Sequence, residues 1–389
     1  MIYKKIGELC RSYKKGIKPV NDEVYTLFSL PAFDNNEHPE IVNGSEIKSN
    51  KLAVTNNMIL FNKLNVKYRR VWNIKTISTK NNLCSTEFIP LIANDGIDQD
   101  YLYYCLTSDD VTYAMHAARK GTSNSQQRID ESILFSHSIP VPDLEVQKKI
   151  ASLLGSIDDK IRINKQINDN LLQQCVTLYD EICSTAEIAL MSDLVAIVET
   201  GSRPKGGAQT SGIPSIGAEK IERFGTYDYS GEKFISEEYF SKLKRGIITS
   251  GDVLLYKDGA YTGKSSMALD GFPHVKCAVN EHVFIIRTLN KKYQYFLYFT
   301  LQNDDIRKMI HGLACGKAAQ PGLNQQELLS VSIKLPPKDV LEAFEEQVNP
   351  LMHQIALNAL ESKHLSALQD AILPKLMSGE IDVSSIELD

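Results

Sequence analysis

The sequence has no long apolar run. No stretch of its 389 residues approaches the roughly 20 consecutive apolar residues that a membrane-spanning helix requires. Behind the first residues, Met1 to Lys5, there is no apolar stretch that could serve as a secretory signal peptide. We therefore expect no membrane partner and a cytoplasmic location.

Cysteine is scarce and shows no pattern. The seven cysteines are an odd number, are widely scattered, and include no Cys-x-x-Cys pair. This usage is typical of reduced thiols and argues against a disulfide framework or a zinc site. The eight histidines show no paired metal-ligand spacing either, so we predict no metal centre.

Recognisable catalytic signatures are also missing. The chain has no Asn-Pro-Pro-aromatic motif of a methyltransferase, no glycine fingerprint for S-adenosylmethionine and no clear cluster of nuclease carboxylates. The segment from Gly259 to Ser265 imitates a phosphate-binding P-loop but is one residue too short. We therefore predict no catalytic residue and no cofactor, and an enzyme with chemistry of its own is the least favoured hypothesis.

The net charge of −5 conceals an uneven distribution. Residues 339–389 carry a balance of −8 and residues 143–183 a balance of −2, which leaves +5 for the remainder. Because local charge decides whether phosphates are attracted, the mildly basic remainder allows a nucleic-acid partner despite the acidic total.

A heptad pattern marks residues 150–182. Apolar residues recur there in alternating steps of four and three, which predicts a long helix that packs lengthwise against another helix. The seam positions are Ile150, Leu154, Ile157, Ile161, Asn164, Asn168, Leu171, Cys175, Leu178 and Ile182.

A second seam lies 194 residues farther along the chain. It comprises Phe344, Val348, Leu351, Ile355, Asn358, Ser362, Leu365, Gln369, Ile372 and Leu376. Both seams turn polar at the same two steps, which indicates that the two helices meet there. We expect Asn164, Asn168 and Asn358 to fix the register of the pair. The alternative is that two ordinary amphipathic helices carry stray polar residues.

An offset of 194 or 195 residues relates other parts of the chain as well. Residues 54–63 align with residues 248–257, and residues 138–142 align with residues 332–336. The chain is therefore predicted to be a tandem duplication with an internal pseudo-twofold relation. Each half would be a globular piece followed by a long helix.

Strand-like and helix-like segments do not alternate regularly within the globular pieces, so the predicted fold class is α+β or irregular α/β. Residues 133–141 are predicted as a strand, and Pro350 is predicted to kink the second long helix or to begin its regular part. The predicted boundaries are 1–142 for the first globular piece, 143–185 for the first long helix, 186–337 for the second globular piece, 338–378 for the second long helix and 379–389 for a tail.

Basic and aromatic residues are interleaved in residues 62–80, where no acidic residue occurs. Such a run is typical of a DNA-binding surface, although a solvated strand-and-turn face has the same composition. Arg69 and Arg70 are the strongest candidates because a guanidinium group contacts phosphates or guanine edges with two hydrogen bonds. The other candidates in the first half are Lys63, Lys67, Lys75 and, at the end of the polar run 123–128, Arg128. That polar run could read base edges or could be a flexible solvated loop.

The second half carries candidates in glycine-rich turns. They are Ser202, Arg203 and Lys205 after a predicted strand, and Lys257, Tyr261 and Lys264 around Gly259 and Gly263, with Lys242, Lys244 and Arg245 nearby. The small residues could let backbone N–H groups approach a DNA phosphate. An ordinary surface turn, or a tight turn without a ligand, remains the alternative.

Four segments resemble the specificity subunit of a Type I restriction–modification system. Residues 139–150, IPVPDLEVQKKI, resemble that family's entry into its first conserved helix, and residues 373–381, LPKLMSGEI, resemble its C-terminal signature. Residues 201–204, GSRP, resemble the turn near the start of its target-recognition domains, and residues 257–264, KDGAYTGK, resemble a second recurrent loop of those domains. Each motif is moderately specific, but their order along the whole chain is highly specific.

The resemblance implies that each globular piece is a target-recognition domain for one half of a split, asymmetric site on double-stranded DNA. It also implies that the long helices pack antiparallel as a spacer and as the docking surface for two methyltransferase subunits. Restriction and translocase subunits would join later, and the chain itself would perform no chemistry. The alternative from a different class is a non-catalytic scaffold whose globular pieces bind proteins.

Overall fold

The structure is a computed structural model that describes residues 2–35, 37–77, 80–118, 127–316 and 322–384. The chain divides into two compact units. The first unit contains the residues up to Asp159 together with those from Ser366 onward, and the second contains Lys160–Leu365.

The first unit mixes short strands with short helices. The strands are β1 (Ile2–Lys5), β2 (Cys10–Ser12), β3 (Gly16–Ile17), β4 (Val24–Phe28), β5 (Glu40–Asn43), β6 (Lys51–Ala53), β7 (Met58–Asn62), β8 (Val71–Ile74), β9 (Asn82–Cys84), β10 (Phe88–Ala93) and β11 (Ser138–Val141). The short helices are α1 (Ile6–Leu9), α2 (Leu30–Asp34), α3 (Gln99–Thr107), α4 (Asp109–Ala117) and α5 (Glu131–Ser136). They are followed by a helix of 40 residues, α6 (Leu144–Cys183), whose first part belongs to this unit.

The second unit repeats this mixture. Its strands are β12 (Glu187–Leu190), β13 (Val195–Thr200), β14 (Ile213–Ile216), β15 (Phe234–Ile235), β16 (Val253–Tyr256), β17 (Ser265–Met267), β18 (Ala278–Val279), β19 (Val283–Thr288) and β20 (Ser332–Leu335). Its short helices are α7 (Glu237–Ser241), α8 (Gln294–Gln302), α9 (Asp304–Cys315) and α10 (Gln325–Leu329). A helix of 41 residues follows, α11 (Lys338–Ser378), and its last part belongs to the first unit.

A four-stranded antiparallel sheet is common to both units. Its strand order is β2-β10-β7-β8 in the first unit and β13-β19-β16-β17 in the second. A two-stranded ribbon accompanies each sheet, β1 with β11 and β12 with β20. The matching order confirms the predicted duplication and the mixed α and β character of each half.

The two units differ in the strands added to this common part. The first unit has a five-stranded sheet with the order β3-β6-β9-β4-β5, whereas the second has a three-stranded sheet with the order β15-β14-β18. The globular pieces are therefore related frameworks that carry unlike additions.

Equivalent local signals start equivalent helices. The side chain of Ser108 accepts a hydrogen bond from the backbone N–H of Val111 and begins α4. Asn303, which lies 195 residues later, accepts from the N–H groups of Asp305 and Ile306 and begins α9. Both are the short polar residues that satisfy free N–H groups at a helix start.

One prediction about local structure is wrong, and one of the two alternatives for Pro350 is excluded. The strand predicted over residues 133–141 is helix α5 followed by β11, because the short apolar run around Leu134 has no periodicity that separates helix from strand. Pro350 does not begin the regular part of α11, because the helix starts twelve residues earlier at Lys338 and continues past the proline.

The long helices pack against each other within each unit. In the first unit Ile150 shares an apolar core with Leu373 and Leu376, and Gln369 donates to Asp158 at 2.8 Å. In the second unit the end of α6 shares a core with the start of α11. Early residues of one helix meet late residues of the other, so the pair is antiparallel, as predicted.

Buried asparagines join the two helices in the second unit. Asn358 Nδ2 donates to Asn168 Oδ1 at 2.8 Å, and Asn168 Nδ2 donates to the carbonyl oxygen of Ile355 at 3.2 Å. Asn164 Nδ2 donates to Glu361 Oε2 at 2.8 Å and lies 3.4 Å from the carbonyl oxygen of Asn358. The helices thus meet at their polar seam positions. A role of these amides in fixing the register stays a prediction.

The buried face of α6 shifts by one residue after Asn168. The buried residues there are Leu172, Tyr179 and Cys183. Of the predicted positions, Cys175 is fully buried, whereas Leu171, Leu178 and Ile182 are only partly buried. The physical reason is that this part of α6 also packs against the globular core, where the ring of Tyr179 lies 5.4 Å from that of Phe296.

Candidate nucleic-acid interface

In the first unit, three loops meet at the end of the four-stranded sheet where β7 ends and β8 and β10 begin. Leu64 forms an isolated antiparallel bridge with Arg128, and Ile129 N donates to Lys63 O at 3.1 Å. Lys63 N donates to Glu87 O at 3.0 Å. We call residues 63–70, 85–87 and 127–129 the first loop edge.

The second unit has the same arrangement at the end of β16. Asp258 forms an isolated bridge with Gly322, and Leu323 N donates to Lys257 O at 2.9 Å. Lys257 N donates to His282 O at 3.1 Å. Each residue in these contacts lies 194 or 195 positions after its counterpart in the first loop edge. We call residues 201–205, 244–246, 257–264, 280–282 and 322–323 the second loop edge.

Two glycines bring residues 201–205 to this edge. A Cβ atom on Gly201 would lie 1.6 Å from the carbonyl oxygen of Val279, and one on Gly246 would lie 2.4 Å from Gly201 Cα. Gly246 also has a φ of +76°, which other residues rarely adopt. Because no side chain fits between these backbones, the turn that begins with Ser202 lies directly beside the start of β19.

Two arginines of the first loop edge are each bound to a carboxylate by two hydrogen bonds. Arg128 contacts Glu87 through Nη2 to Oε1 at 2.7 Å and Nε to Oε2 at 3.1 Å. Arg70 contacts Asp34 through Nε and Nη2, both at 2.7 Å, and its side chain is only 17% exposed. The guanidinium group of Arg70 is therefore occupied within the protein, which weighs against its choice as a principal DNA contact.

The other candidate DNA contacts of the first half differ in their exposure and in whether they pair with a carboxylate. Two of them pair with a carboxylate in the first turn of a helix: Arg69 with Asp109 of α4, and Lys75 with Asp100 of α3. Lys63 is half-buried. Lys67 is exposed, and its Nζ lies 4.7 Å from the ring centroid of Tyr68, which is itself 51% exposed.

Opposite charges alternate across the second loop edge. Arg203 Nη2 lies 3.1 Å from Glu281 Oε1, and His282 Nε2 lies 3.4 Å from the same oxygen. His282 Nδ1 lies 3.1 Å from Asp258 Oδ2, which also contacts Lys257 Nζ at 2.5 Å. The formal charges of the cations Arg203 and Lys257 and of the carboxylates Glu281 and Asp258 cancel.

The loop that imitates a P-loop uses its backbone internally. The N–H groups of residues 262–264 donate to carbonyl oxygens of the loop and of Tyr256. This pattern favours a tight turn over a loop that binds phosphate through these groups. Lys264 Nζ lies 2.8 Å from Glu222 Oε1, while Tyr261 is 63% exposed.

Some exposed cations of the loop edges received little weight from the sequence alone, and the glutamates of these edges received none. Lys244 and Arg245 are exposed beside Gly246, and their position before a glycine-rich turn was the available signal. No local sequence pattern indicated Glu87 or Glu281. Glu87, for example, pairs with an arginine that lies 41 residues away in the chain. Residues 123–126, which belong to the polar run considered for base contacts, lie outside the described residues.

Apart from the half-buried Lys63, four cations of the two loop edges contact no carboxylate among the described residues. They are Lys67 at the first loop edge, and Lys205, Lys244 and Arg245 at the second. Ser202, by contrast, is held by a 2.8 Å hydrogen bond between its Oγ and the hydroxyl of Tyr239.

Burial causes the largest pKa shifts among the titratable groups. Burial raises the pKa of the Cys84, Cys105 and Cys277 thiols to about 12, so they stay protonated. Burial also raises the pKa of Glu345 to about 8, although its carboxylate accepts the N–H of Phe296 at 2.7 Å.

Two absences concern the described residues. Among them, no group of three or more His, Cys, Asp or Glu side chains is arranged to hold a metal ion. None of the helices that they form has both the length and the apolar character to cross a membrane.

The Type I restriction modification DNA specificity domain matches the chain twice, over residues 2–173 and 192–361. The chain belongs to this family. The assignment confirms the resemblance drawn from the sequence, and the two matches correspond to the two halves of the duplication. As a Type I DNA specificity protein, the chain contributes sequence specificity for DNA and no catalytic step of its own. The hypothesis of a protein-binding scaffold is therefore not needed.

Similar proteins carry the corresponding names. The chain is 23% identical over 332 residues to the Type I restriction enzyme MjaIX specificity subunit of Methanocaldococcus jannaschii, which covers 79% of the chain and 75% of that relative. It is 22% identical over 422 residues to the Type I restriction enzyme HindI specificity subunit of Haemophilus influenzae, which covers 88% of the chain and 91% of that relative.

A solved structure has the same fold. The crystal structure of the Type-I restriction-modification system S subunit from M. genitalium matches 97% of this chain and 96% of its own with a TM-score of 0.57, at 15% sequence identity. The predicted fold class, two related mixed domains with two long antiparallel helices, is thereby confirmed.

Proposed function

We propose that each globular piece of this Type I specificity protein recognises one half of a bipartite, asymmetric DNA site through its loop edge. The observation that carries this proposal is the equivalence of the two loop edges, which present basic side chains at the same end of equivalent sheets. The unlike additions to the two units support unlike half-sites.

The proposed DNA contacts separate into two groups. Exposed lysines such as Lys67 and Lys205 suit phosphates, which are the same in every sequence. The arginines suit base edges, because their fork matches guanine. The full proposed set remains Lys63, Lys67, Arg69, Arg70, Lys75, Arg128, Ser202, Arg203, Lys205, Lys257, Tyr261 and Lys264, with Arg70 the weakest member.

The helix pair is proposed to set the separation of the half-sites and to dock two methyltransferase subunits. Exposed apolar side chains support docking, since Ile163 on α6 is 42% exposed and Leu357 on α11 is 55% exposed. These residues are 194 positions apart, which suits two copies of one partner on equivalent ridges. Restriction and translocase subunits would join this complex, in the cytoplasm.

Reconstitution tests the proposal. The chain is mixed with the methyltransferase subunits of its own restriction–modification system, and modified adenines are mapped on genomic DNA. We expect methylation within one split sequence whose two halves differ. The matched control is the K67A/K205A double variant, which should keep the same target but bind it with a shallower dependence on salt. A complex that modifies DNA without sequence preference would contradict the proposal.

A further inference from the structure

Both loop edges place a glutamate just before an inner strand of the four-stranded sheet and pair it with an arginine from a loop. Glu87 directly precedes β10 and binds Arg128 at two points, 2.7 and 3.1 Å. Glu281 lies two residues before β19 and contacts Arg203 at 3.1 Å. The same combination at equivalent strand ends is unexpected in a surface that is otherwise suited to phosphates.

A contribution to stability does not account for these pairs. Both arginines are about half exposed, with 58% of the Arg128 side chain and 49% of the Arg203 side chain accessible. Exposed ion pairs contribute only about 0–1 kcal/mol. In addition, Glu281 Oε2 is buried without a hydrogen-bond partner in the described structure, which is a cost and not a gain.

The effect of the glutamates on DNA binding is larger. A carboxylate beside an arginine cancels the charge that would attract any phosphate, so the pair lowers affinity for DNA of every sequence. A guanine offers O6 and N7, which match the guanidinium fork, and its cytosine offers an N4–H that a glutamate accepts. A guanine–cytosine pair thus gives both partners of the ion pair a new contact, with two acceptors for the guanidinium fork on one base.

We propose that Glu87 and Glu281 are specificity-determining residues that hold Arg128 and Arg203 in neutral pairs. The phosphates of the DNA backbone do not separate these pairs, whereas a guanine–cytosine base pair does. The inference rests on the proposed function of the loop edges. Lys67, Lys205, Lys244 and Arg245, which contact no carboxylate among the described residues, supply the backbone contacts.

The first test compares E87Q and E281Q with the wild-type full chain on a DNA duplex of arbitrary sequence, over a salt series. Glutamine keeps the size of the side chain and one acceptor for the arginine, so the fold is retained. Each variant should bind this duplex several-fold more tightly at low salt. The plot of log affinity against log salt should become steeper by about one unit, because one more cation meets a phosphate.

The matched control is E145Q. It removes the same charge from an exposed pair on α6, where Glu145 lies 2.9 Å from Lys148, and should leave the slope unchanged. The second test maps methylation by the reconstituted complexes. E87Q should relax one position of a single half-site, and E281Q one position of the other, a result that a merely structural role would not produce.

The outcomes separate the two proposals. Variants that bind the arbitrary duplex no differently from E145Q, or that relax no position of either half-site, overturn the inference and leave the proposed function standing. A wild-type chain and complex without salt-dependent DNA binding overturn both.

Discussion

Single residues at the loop edges show that a basic side chain is not automatically a DNA contact. Arg70 lies in the most basic run of the sequence, yet its fork is occupied by Asp34 at the end of α2. It therefore anchors the loop between β7 and β8 to a neighbouring helix. Lys67, three residues earlier, is exposed and stacks only on Tyr68.

The two residues should respond differently to substitution by alanine. R70A should lower the free energy of unfolding by about 1 kcal/mol, because a charged hydrogen bond with two contacts is lost, whose arginine side chain is only 17% exposed. K67A should leave stability unchanged and make the salt dependence of DNA binding shallower by about one unit. Urea denaturation and a salt series measure the two effects. A stable R70A variant with the larger loss of DNA affinity would restore Arg70 as a principal contact.

Glu345 makes stability depend on pH. Burial raises its pKa from an ordinary value of 4.5 to about 8, so the folded chain retains a proton that the unfolded chain releases. The free energy of unfolding should therefore fall as pH rises from about 4.5 to about 8 and stay level above that. E345Q should remove this fall.

Urea denaturation between pH 5 and pH 8 measures the effect of Glu345. E346Q, which changes the neighbouring exposed carboxylate, is the matched control and should keep the wild-type dependence on pH. An E345Q variant that still loses stability over this range would show that another group is responsible.

Among the elements, the long helices carry a polar contact inside an apolar interface. Asn168 and Asn358 are each 6% exposed and hydrogen-bond to each other at 2.8 Å. Buried polar groups need partners, and those in helix pairs restrict the registers that are compatible with burial. The helix pair is therefore expected to be more specific than an entirely apolar seam.

A double-mutant cycle at this pair tests the idea. N358A should cost about 1–3 kcal/mol, because Asn168 Oδ1 is left buried without its donor. The double variant N168A/N358A should lose less than the sum of the losses in N168A and N358A, since both polar groups are gone. Additive losses, measured by urea denaturation, would mean that the two side chains act independently.

At the scale of the whole molecule, duplication gives one chain two related recognition units. The common four-stranded sheets present equivalent loop edges, while the added sheets differ. One chain is thereby suited to two different half-sites, with the helix pair proposed as the element that separates them.

Lengthening both helices tests that role. One heptad inserted beside Gln166 of α6 and one beside Leu360 of α11 keep the seam in phase and add about 10 Å of helix, or about three base pairs of DNA. Methylation mapping should find the same half-sites at a larger separation. A heptad in α6 alone is the control and should disrupt the helix pair. An unchanged separation in the paired insertion would exclude the helices as a ruler.

Local patterns in the amino-acid sequence were sufficient for the duplication, the two long helices, the fold class and the family, because periodicity and repetition need no knowledge of distant contacts. They also singled out some loops of both edges, but not residues 85–87 or 280–282. They failed where residues far apart in the chain meet. They failed for a second reason at helix α5, which was mistaken for a strand because its short apolar run has no helical or strand periodicity.

Packing of distant segments determined the remaining features. The buried face of α6 moved by one residue because the globular core covers it from a second side. The availability of each candidate cation depended on carboxylates such as Asp34 and Glu87, which lie 36 and 41 residues away from their arginines. Charge pairing is a through-space effect, so composition alone could name the basic residues but could not say which of them were already neutralised.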